Sequence, residues 1–276
     1  HGGEAAGGSK SGDISIEAEE VSVDGGNGFR SGAQIGHGGR GGAGTLAGSV
    51  DITTTVGDLS VAAAGGNFAS ARIGHGGLGY NGSVTDQTIT VDAAGSLLLQ
   101  GGSGNQSFAQ LGHGGAGASG ANFSGDVVVT VGEDLGLTGG TGLTAFAQIG
   151  HGGALVTSNL SGDITVATGG DVALAAPSSA TAGAYAKIGH GDDMRGVFGA
   201  AAGAGDRTGN IQVAAGGSLT MNQALIGHAN STSNATSTGT TQVGVSWVAP
   251  SNPAGGNLVA DATSEFSGDE LRFYVP

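Results

Sequence analysis

The sequence predicts an all-β fold, a parallel β-helix (β-solenoid) made of tandem repeats of about 38 residues. Three observations lead to this prediction: a constant spacing between histidines, short stretches in which apolar and polar residues alternate, and a composition unsuited to a thick core. In such a fold, each repeat buries its apolar side by stacking on its neighbours.

The histidines set the period of the repeat. After His1, the intervals between successive repeated histidines are 38, 38, 38, 39 and 38 residues, and each histidine lies in a phrase close to Ala-Gln-Ile-Gly-His-Gly-Gly. The repeated histidines are His37, His75, His113, His151, His190 and His228, and the turn glycines before them are Gly36, Gly74, Gly112, Gly150, Gly189 and Gly227. Six matches in phase indicate tandem repetition, and the last copy, at 224–230, is the most degenerate.

A second phrase alternates with the first and predicts strands. In residues 125–140 an Asp-Val-Val-Val stretch is followed by Asp-Leu-Gly-Leu-Thr-Gly-Gly, and variants of this phrase occur in all six repeats. Short alternation bounded by Gly and Asp indicates strands joined by tight turns. Because no 3.6-residue period is present and each Gly costs a helix about 1 kcal/mol relative to Ala, we expect almost no helix.

Composition limits both the core and the partners. The 276 residues include 61 Gly but only 8 Phe, 3 Tyr and 1 Trp, so the interior must be thin. A formal net charge of −14 argues against nucleic acid and anionic membranes as partners. No stretch approaches the ~18 apolar residues of a spanning helix, so we expect no membrane insertion. The lack of cysteine excludes disulfides and thiolate-bound metal.

The width of one coil is open to two interpretations. Ile35 follows Ile14 by 21 residues and precedes Ile52 by 17, so the two phrases divide each repeat into halves near 19 residues. We favour two coils of about 19 residues per repeat, which gives twelve coils and a rod of about 60 Å. The alternative is one wide coil of 38 residues with long loops.

The chain divides into an array and a different C-terminal segment. Residues 1–230 are predicted to form the β-solenoid repeat array, and residues 231–276, with Pro250, Pro253 and the sole Trp247, a β-rich cap or docking segment. A cap is expected because the open end of a stack invites further strand pairing. The opening His-Gly-Gly matches the middle of the histidine phrase, so we expect a fragment that begins inside a repeat.

These phrases resemble those of the secreted β-helical exoproteins of the filamentous haemagglutinin, or two-partner secretion, type. The resemblance rests on Gly-Asp-Ile-x-Val and Asp-Leu-x-Leu-x-Gly-Gly phrases, spacing near 19 residues, the lack of Cys and an Ala/Gly/Ser/Thr/Asn-rich composition over roughly residues 10–230. It implies a right-handed parallel β-helix on or released from a bacterial surface, acting in adhesion, aggregation or matrix. The Gly-His-Gly-Gly phrase departs from that family pattern.

The histidine row is the main candidate site. Side chains alternate along a strand, so Ala33, Ile35 and His37 share one face and Gln34 lies on the other. The residues at the Gln34 position are mostly polar, which indicates an exposed face: Gln34, Arg72, Gln110, Gln148, Lys187 and Leu225. A structural ladder of neutral imidazoles bonded to turn backbone is favoured over a metal site, because two coils per repeat would hold neighbouring histidines about 10 Å apart.

A row of aspartates and the remaining motifs give no reason to expect catalysis. Asp13, Asp51, Asp126 and Asp163, with Asn210 in the last copy, are interpreted as turn residues that accept from the backbone two positions on, rather than as calcium ligands. No Gly-x-Ser-x-Gly elbow occurs, and the 8 basic residues are scattered. We therefore expect no enzyme, no catalytic residues and no cofactor or metal.

The function expected from these observations is structural. The chain is predicted to be a non-enzymatic module of an adhesin or fibre, secreted or at the bacterial cell surface, that associates end to end or laterally with copies of itself. Surface glycans or matrix are further candidate partners. The alternative is a carbohydrate-binding or polysaccharide-degrading β-helix, which would gather acidic and aromatic residues on one face.

Overall fold

The structure is a computed structural model that describes residues 7–177, 183–192 and 205–228, together with the backbone of strand segments at 237–238, 241–245, 264–267 and 270–273. Every regular element in these residues is a β-strand. The described residues therefore include no helix that is long and apolar enough to cross a membrane.

Each coil of the solenoid consists of four short strands. The first three coils contain β1 (Lys10–Ser11), β2 (Ile14–Ala18), β3 (Val21–Asp24), β4 (Ala33–Ile35), β5 (Ala43–Ala47), β6 (Val50–Thr54), β7 (Leu59–Ala62), β8 (Ala71–Ile73), β9 (Asn81–Val84), β10 (Ile89–Ala93), β11 (Leu97–Gln100) and β12 (Ala109–Leu111). The next three contain β13 (Asn122–Ser124), β14 (Val127–Val131), β15 (Leu135–Thr138), β16 (Ala147–Ile149), β17 (Asn159–Ser161), β18 (Ile164–Thr168), β19 (Val172–Ala175), β20 (Ala186–Ile188), β21 (Arg207–Thr208), β22 (Ile211–Ala215), β23 (Leu219–Asn222) and β24 (Ala224–Ile226). The last strands are β25 (Ser237–Thr238), β26 (Thr241–Val245), β27 (Ser264–Ser267) and β28 (Glu270–Phe273).

Corresponding strands of successive coils pair in parallel and form four sheets along the stack. Sheet A has the order β1-β5-β9-β13-β17-β21-β25, sheet B β2-β6-β10-β14-β18-β22-β26, and sheet C β23-β19-β15-β11-β7-β3. Sheet D has the order β27-β28-β24-β20-β16-β12-β8-β4. Partners lie one repeat apart: in sheet B, Ile89 pairs with Val50 on one side and with Val127 on the other. The predicted parallel β-solenoid is thus confirmed.

Each repeat of about 38 residues forms one wide coil, so the expectation of two narrow coils was wrong. Ile14 lies in β2 of sheet B and Ile35 in β4 of sheet D, and the two phrases are therefore different walls of the same coil. Alternation of apolar and polar residues identifies a strand but not the strand with which it pairs. Since both halves of each repeat alternate, they resembled two separate coils. The six coils up to residue 228, separated by five steps of ~4.8 Å, give a stack about 24 Å deep, well short of the expected rod.

An apolar column runs through the stack between sheets B, C and D. One layer consists of Val127, Val129, Leu135, Leu137 and Ile149, each at most 1% exposed. Along β14 and β15 these buried residues alternate with more exposed ones. Burial of each such side chain is worth about 1.5–3 kcal/mol, and a slip of one residue would reverse the buried face, so the alternation fixes the register.

The loop from sheet D to the next sheet A strand packs its apolar residues into two further clusters. One cluster joins loop residues to the inner face of sheet A and consists of Leu46, Tyr80, Val84, Ala118, Phe123, Val156 and Leu160. The other lies beside sheet D and consists of Leu78, Phe108, Ala116, Phe146, Ala154 and Tyr185, with Phe68 and Leu155 packed against it. As a result, the inner strands of sheet D are buried along their whole length, unlike those of sheets B and C.

Strands after residue 230 extend the stack. β25 and β26 pair in parallel with β21 and β22, so sheets A and B continue past the boundary expected at 230. β28 pairs antiparallel with β24, and β27 with β28, which adds a hairpin to the end of sheet D. The capping role of 231–276 stays a prediction. Trp247, Pro250, Pro253 and the opening residues 1–6 lie outside the described residues.

Adjacent coils approach closely at the Gly-His-Gly turns that follow sheet D. Gly74 and Gly150 have φ angles of +132° and +138°, a backbone conformation that residues with a side chain rarely adopt. A Cβ atom at Gly150 would overlap the carbonyl oxygen of Gly189 in the next coil. A side chain at these glycines would therefore strain the turn and force the coils apart.

The substitution Gly150→Ala is expected to lower the free energy of unfolding by about 2–4 kcal/mol, because it combines backbone strain with steric overlap. Chemical denaturation followed by circular dichroism measures the change. Gly136→Ala is the matched control, since Gly136 pairs in register with Ala173 and is expected to lose less than about 1 kcal/mol. Equal losses in the two variants would contradict the close approach of the coils.

Candidate functional site: a buried histidine ladder

The six repeated histidines form one continuous stack along the solenoid. Each follows a sheet D strand and is at most 3% exposed. Neighbouring imidazole rings have centroids 4.6–5.1 Å apart and interplanar angles of 4–21°. The expected spacing of about 10 Å was wrong, because it assumed two layers per repeat where the structure has one.

From His75 onward, both ring nitrogens of these histidines are engaged with backbone groups. The backbone N–H of His75 donates to Nδ1 of His113 at 3.0 Å, and the same bond joins the other neighbouring pairs at 2.9–3.1 Å. On its other side, Nε2 lies 2.6–2.9 Å from a carbonyl oxygen of a turn between sheets A and B, contributed in order by Gly12, Gly48, Gln87, Gly125, Gly162 and Gly209. Since Nδ1 accepts, Nε2 carries the proton, and the rings from His75 onward are neutral Nε2–H tautomers.

This bonding makes each imidazole a connector rather than an open ligand. From His75 onward it links a backbone N–H of the preceding coil to a carbonyl of the turn between sheets A and B of its own coil. A neutral ring with both nitrogens bonded has no lone pair free for a metal ion, so metal binding would require one of these bonds to break. Within the described ranges, no three His, Asp or Glu side chains are grouped so that they could hold a metal ion.

The residues at the Gln34 position are buried in the inner coils, so the predicted exposed face was wrong. The buried members are Arg72, Gln110, Gln148, Lys187 and Leu225, each at most 1% exposed. The polar members are hydrogen-bond donors to the turns. Gln148 Nε2, for example, donates to the carbonyl oxygens of Gly189 and Gly191 in the next coil at 2.8 and 3.1 Å. Their polarity thus serves the interior and not the solvent.

The histidine and the donor at the Gln34 position together form hydrogen bonds with the turn N–H and C=O groups that have no backbone partner. In the fourth coil, the N–H groups of Gly150 and Gly152 donate to carbonyls of the third coil at 2.8 Å. The carbonyls of the same two glycines accept from Gln110 Nε2. A buried polar group left without a partner costs about 1–3 kcal/mol, so these side chains matter to the stability of the stack. The signal in the sequence was that the polar residues at this position are Gln, Arg and Lys, whose side chains all donate hydrogen bonds. Neither Asp nor Glu, whose carboxylates only accept, occurs there.

Three members of the aspartate row, Asp13, Asp126 and Asp163, bond to the next coil and not within one turn as predicted. Asp51 instead accepts from the hydroxyl of Ser49 in its own turn. Asp126 Oδ1 accepts from the backbone N–H of Asp163 at 2.9 Å, and Asp163 Oδ1 accepts from that of Asn210 at 2.7 Å. Asp13 Oδ1 accepts from the N–H of Ser49 in the same way, at 2.8 Å. These three carboxylates therefore hold the turn of the next coil against their own.

Burial holds the four inner histidines, His75, His113, His151 and His190, in their neutral form. It lowers the pKa of His75 and of His151 to about 4, and it lowers the pKa of His113 and His190 well below the usual value. The main cause is that a charged ring would lose its water in the interior. The carbonyl that accepts from Nε2 opposes this shift in part, and neighbouring histidines reinforce it for His75, His113 and His190.

The fold and this site together define a class of protein, a parallel β-solenoid with one wide coil per repeat and an internal histidine ladder. No family model, curated protein or solved structure matches the chain. The resemblance to exoproteins of the filamentous haemagglutinin type therefore stays a prediction, while the all-β solenoid and its repeat spacing are properties of the structure itself.

The ladder predicts that the protein loses stability in mild acid. Histidines of the unfolded chain titrate near 6.5, above the lowered pKa values of the folded ladder, so the unfolded chain binds protons first. The contribution is fully present above about pH 6.5 and is expected to be lost as the pH falls toward about 4. Urea unfolding at a series of pH values measures it.

The variant His113→Gln isolates the contribution of one rung, because a Gln amide offers an acceptor and a donor but does not titrate. Carboxylates are the same in both proteins, so their titration cancels in the comparison. The dependence of unfolding free energy on pH should become shallower by up to about 1.4 kcal/mol per pH unit, the effect of one proton. An unchanged slope would contradict a neutral, buried His113.

Proposed function

We propose that the protein is a non-enzymatic structural module, a β-solenoid segment of an adhesin or fibre. This proposal rests on one observation, namely that the repeated polar side chains form hydrogen bonds with neighbouring coils. The histidine, Gln34-position and aspartate rows all form hydrogen bonds with neighbouring coils, as at His113, Gln148 and Asp126. The repeated phrase is thereby accounted for by stacking, which is the requirement of a structural element.

The first coil provides a surface on which a further coil can stack. Strands β1, β2, β3 and β4 stand at the ends of their sheets, so within the described residues each has a strand partner on one side. Ile14, Ile16 and Ile35 are only half-buried there, whereas their counterparts in the second coil are almost completely buried. Unpaired strand edges combined with exposed apolar side chains favour association.

The occupant that we propose for this surface is a second copy of the chain, stacked end to end. At the other end of the stack, β26 is the last described strand of sheet B and β23 the last described strand of sheet C. A copy added there would continue the parallel sheets B and C at the same ~4.8 Å spacing, beside the β27–β28 hairpin at the end of sheet D. Secretion or display at a bacterial surface, and contacts of the outer rows with glycans or matrix, form part of the same proposal and rest on the family resemblance.

Electron microscopy and light scattering over a range of protein concentrations test the end-to-end assembly. The wild type is expected to form rods longer than one stack, because the end of one molecule buries the half-exposed isoleucines of the next. Ile16→Lys should abolish this assembly by placing a charge in the joint. Ser15→Lys is the matched control, since Ser15 is the neighbouring exposed residue of β2, and it should assemble like the wild type.

Circular dichroism establishes that both variants are folded before they are compared. Wild-type protein that stays monomeric at its highest soluble concentration would refute the self-association. Equal assembly of the Ile16→Lys and Ser15→Lys proteins would show that any rods form by another surface.

A further inference from the structure

A row of stacked aromatic rings lies beside sheet D in the third to fifth coils and stops short of the first two. Phe108, Phe146 and Tyr185 stack with centroid separations of 4.5 and 5.0 Å. Each directly precedes the first alanine of a sheet D strand. The corresponding residues of the first two coils are Gly32 and Ser70, so the row lacks two rings there.

A cavity of about 240 Å³ occupies this part of the structure. Gly32 and Ser70 belong to its wall, and Phe68 supplies an aromatic side. Ligand pockets that hold drug-sized molecules run from about 300 to 1,000 Å³, so this cavity suits a smaller molecule. Its position follows from the two missing rings, since bulky side chains fill the equivalent place in later coils.

The wall of the cavity carries positive charge in a strongly acidic protein. Arg30, Arg40 and Arg72 all line it, which is three of the 8 basic residues of a chain with a net charge of −14. None of the residues that line the cavity is acidic. The guanidinium of Arg40 lies 5.0 Å from the ring centroid of Phe68, and that of Arg30 lies 4.7 Å from that of Phe29. The local field therefore favours an anion.

Arg72 is the most informative of the three. It is 1% exposed, and its Nη1 donates to the carbonyl oxygen of Gly114 at 2.6 Å, with Nη2 3.4 Å from that of Gly74. Its buried Nε has no hydrogen-bond partner in the described part of the chain. Burial lowers the pKa of Arg72 to about 9, so the side chain still carries its charge at neutral pH.

Support of the turn requires a hydrogen-bond donor at this position but not a positive charge. Gln110 and Gln148 occupy the same row and donate to the equivalent glycine carbonyls without bringing a charge into the interior. The other cation of the row, Lys187, lies in the fifth coil, away from the cavity. A buried arginine without an acidic neighbour in the cavity wall is costly unless an anion compensates it.

We propose that this cavity is a binding site for a small organic anion, whose carboxylate or sulfate group pairs with Arg72. Arg30 and Arg40 supply further positive charge at the site, and the body of the ligand rests against Phe68 and Leu78. The cavity volume limits that body to about the size of one sugar ring. All of the lining residues belong to the first two coils and the turns that follow them, so one chain forms the whole site.

Isothermal titration of the purified protein with glucuronate, sulfate and glucose tests the proposal. Glucuronate should bind saturably, sulfate should compete with it, and glucose, which lacks the charge, should not bind. Arg72→Gln restores the residue found elsewhere in the row, so the fold is expected to be retained. Its affinity for glucuronate should fall about tenfold or more, the effect of one charge-assisted hydrogen bond.

A second variant tests the cavity rather than the charge. Ser70→Phe introduces the missing ring next to Phe108 and is expected to fill the space. This protein should melt at a higher temperature than the wild type and should no longer bind glucuronate. Absence of saturable binding of glucuronate and sulfate to the wild type would overturn the proposal. Equal binding of glucose, or undiminished binding by the Arg72→Gln or Ser70→Phe protein, would overturn it as well.

Discussion

The solenoid depends on the close stacking of its Gly-His-Gly turns. Parallel strands lie about 4.8 Å apart, and the imidazole rings repeat at nearly the same distance, 4.6–5.1 Å between centroids. A ring can therefore bond the coil before it through Nδ1 and the facing turn through Nε2 without disturbing the ladder of strands. Glycine beside the histidine is a condition of this arrangement, because a Cβ at Gly112 or Gly150 would overlap the next coil.

This constraint divides the interior of the protein into two parts of different chemistry. Sheets B, C and D enclose a column of Val, Ile and Leu, while the turns beyond sheet D enclose a column of imidazoles, amides and carbonyls. The polar column is stable because almost every group in it has a hydrogen-bond partner, either in the neighbouring coil or in the facing turn of the same coil. The same completeness makes it sensitive to acid, since a proton on Nδ1 of His113 would remove the acceptor for the His75 N–H.

The sequence predicted the elements of this fold better than their arrangement. Constant intervals between histidines and the alternation in β14 or β15 indicated stacked strands, because both patterns are local. Coil width depends on which strands pair, and pairing is not a local property. Sheet A strands such as Asn122–Ser124 were missed because Gly, Ser and Asn dominate them, and their burial comes from loop residues such as Tyr80.

The candidate site, too, could be predicted only as far as local sequence patterns determine it. The inward direction of the histidines followed from alternation, but alternation also predicted that Gln148 and Arg72 would face solvent. Loops cover that face, and their course over sheet D is not encoded in the strand itself. The cavity beside Arg72 was equally hidden, since it arises from the absence of two rings relative to Phe108 and Phe146. In the sequence, this gap corresponds to Gly32 and Ser70, which stand where the later repeats carry an aromatic residue.

Nuclear magnetic resonance of uniformly ¹⁵N-labelled protein at neutral pH tests the ladder most directly. The account predicts scalar coupling across the hydrogen bond from the backbone amide of His75 to Nδ1 of His113, with all protons of the inner imidazoles on Nε2. Imidazoles that exchange rapidly between tautomers, or that show no coupling to any backbone amide, would contradict the ladder.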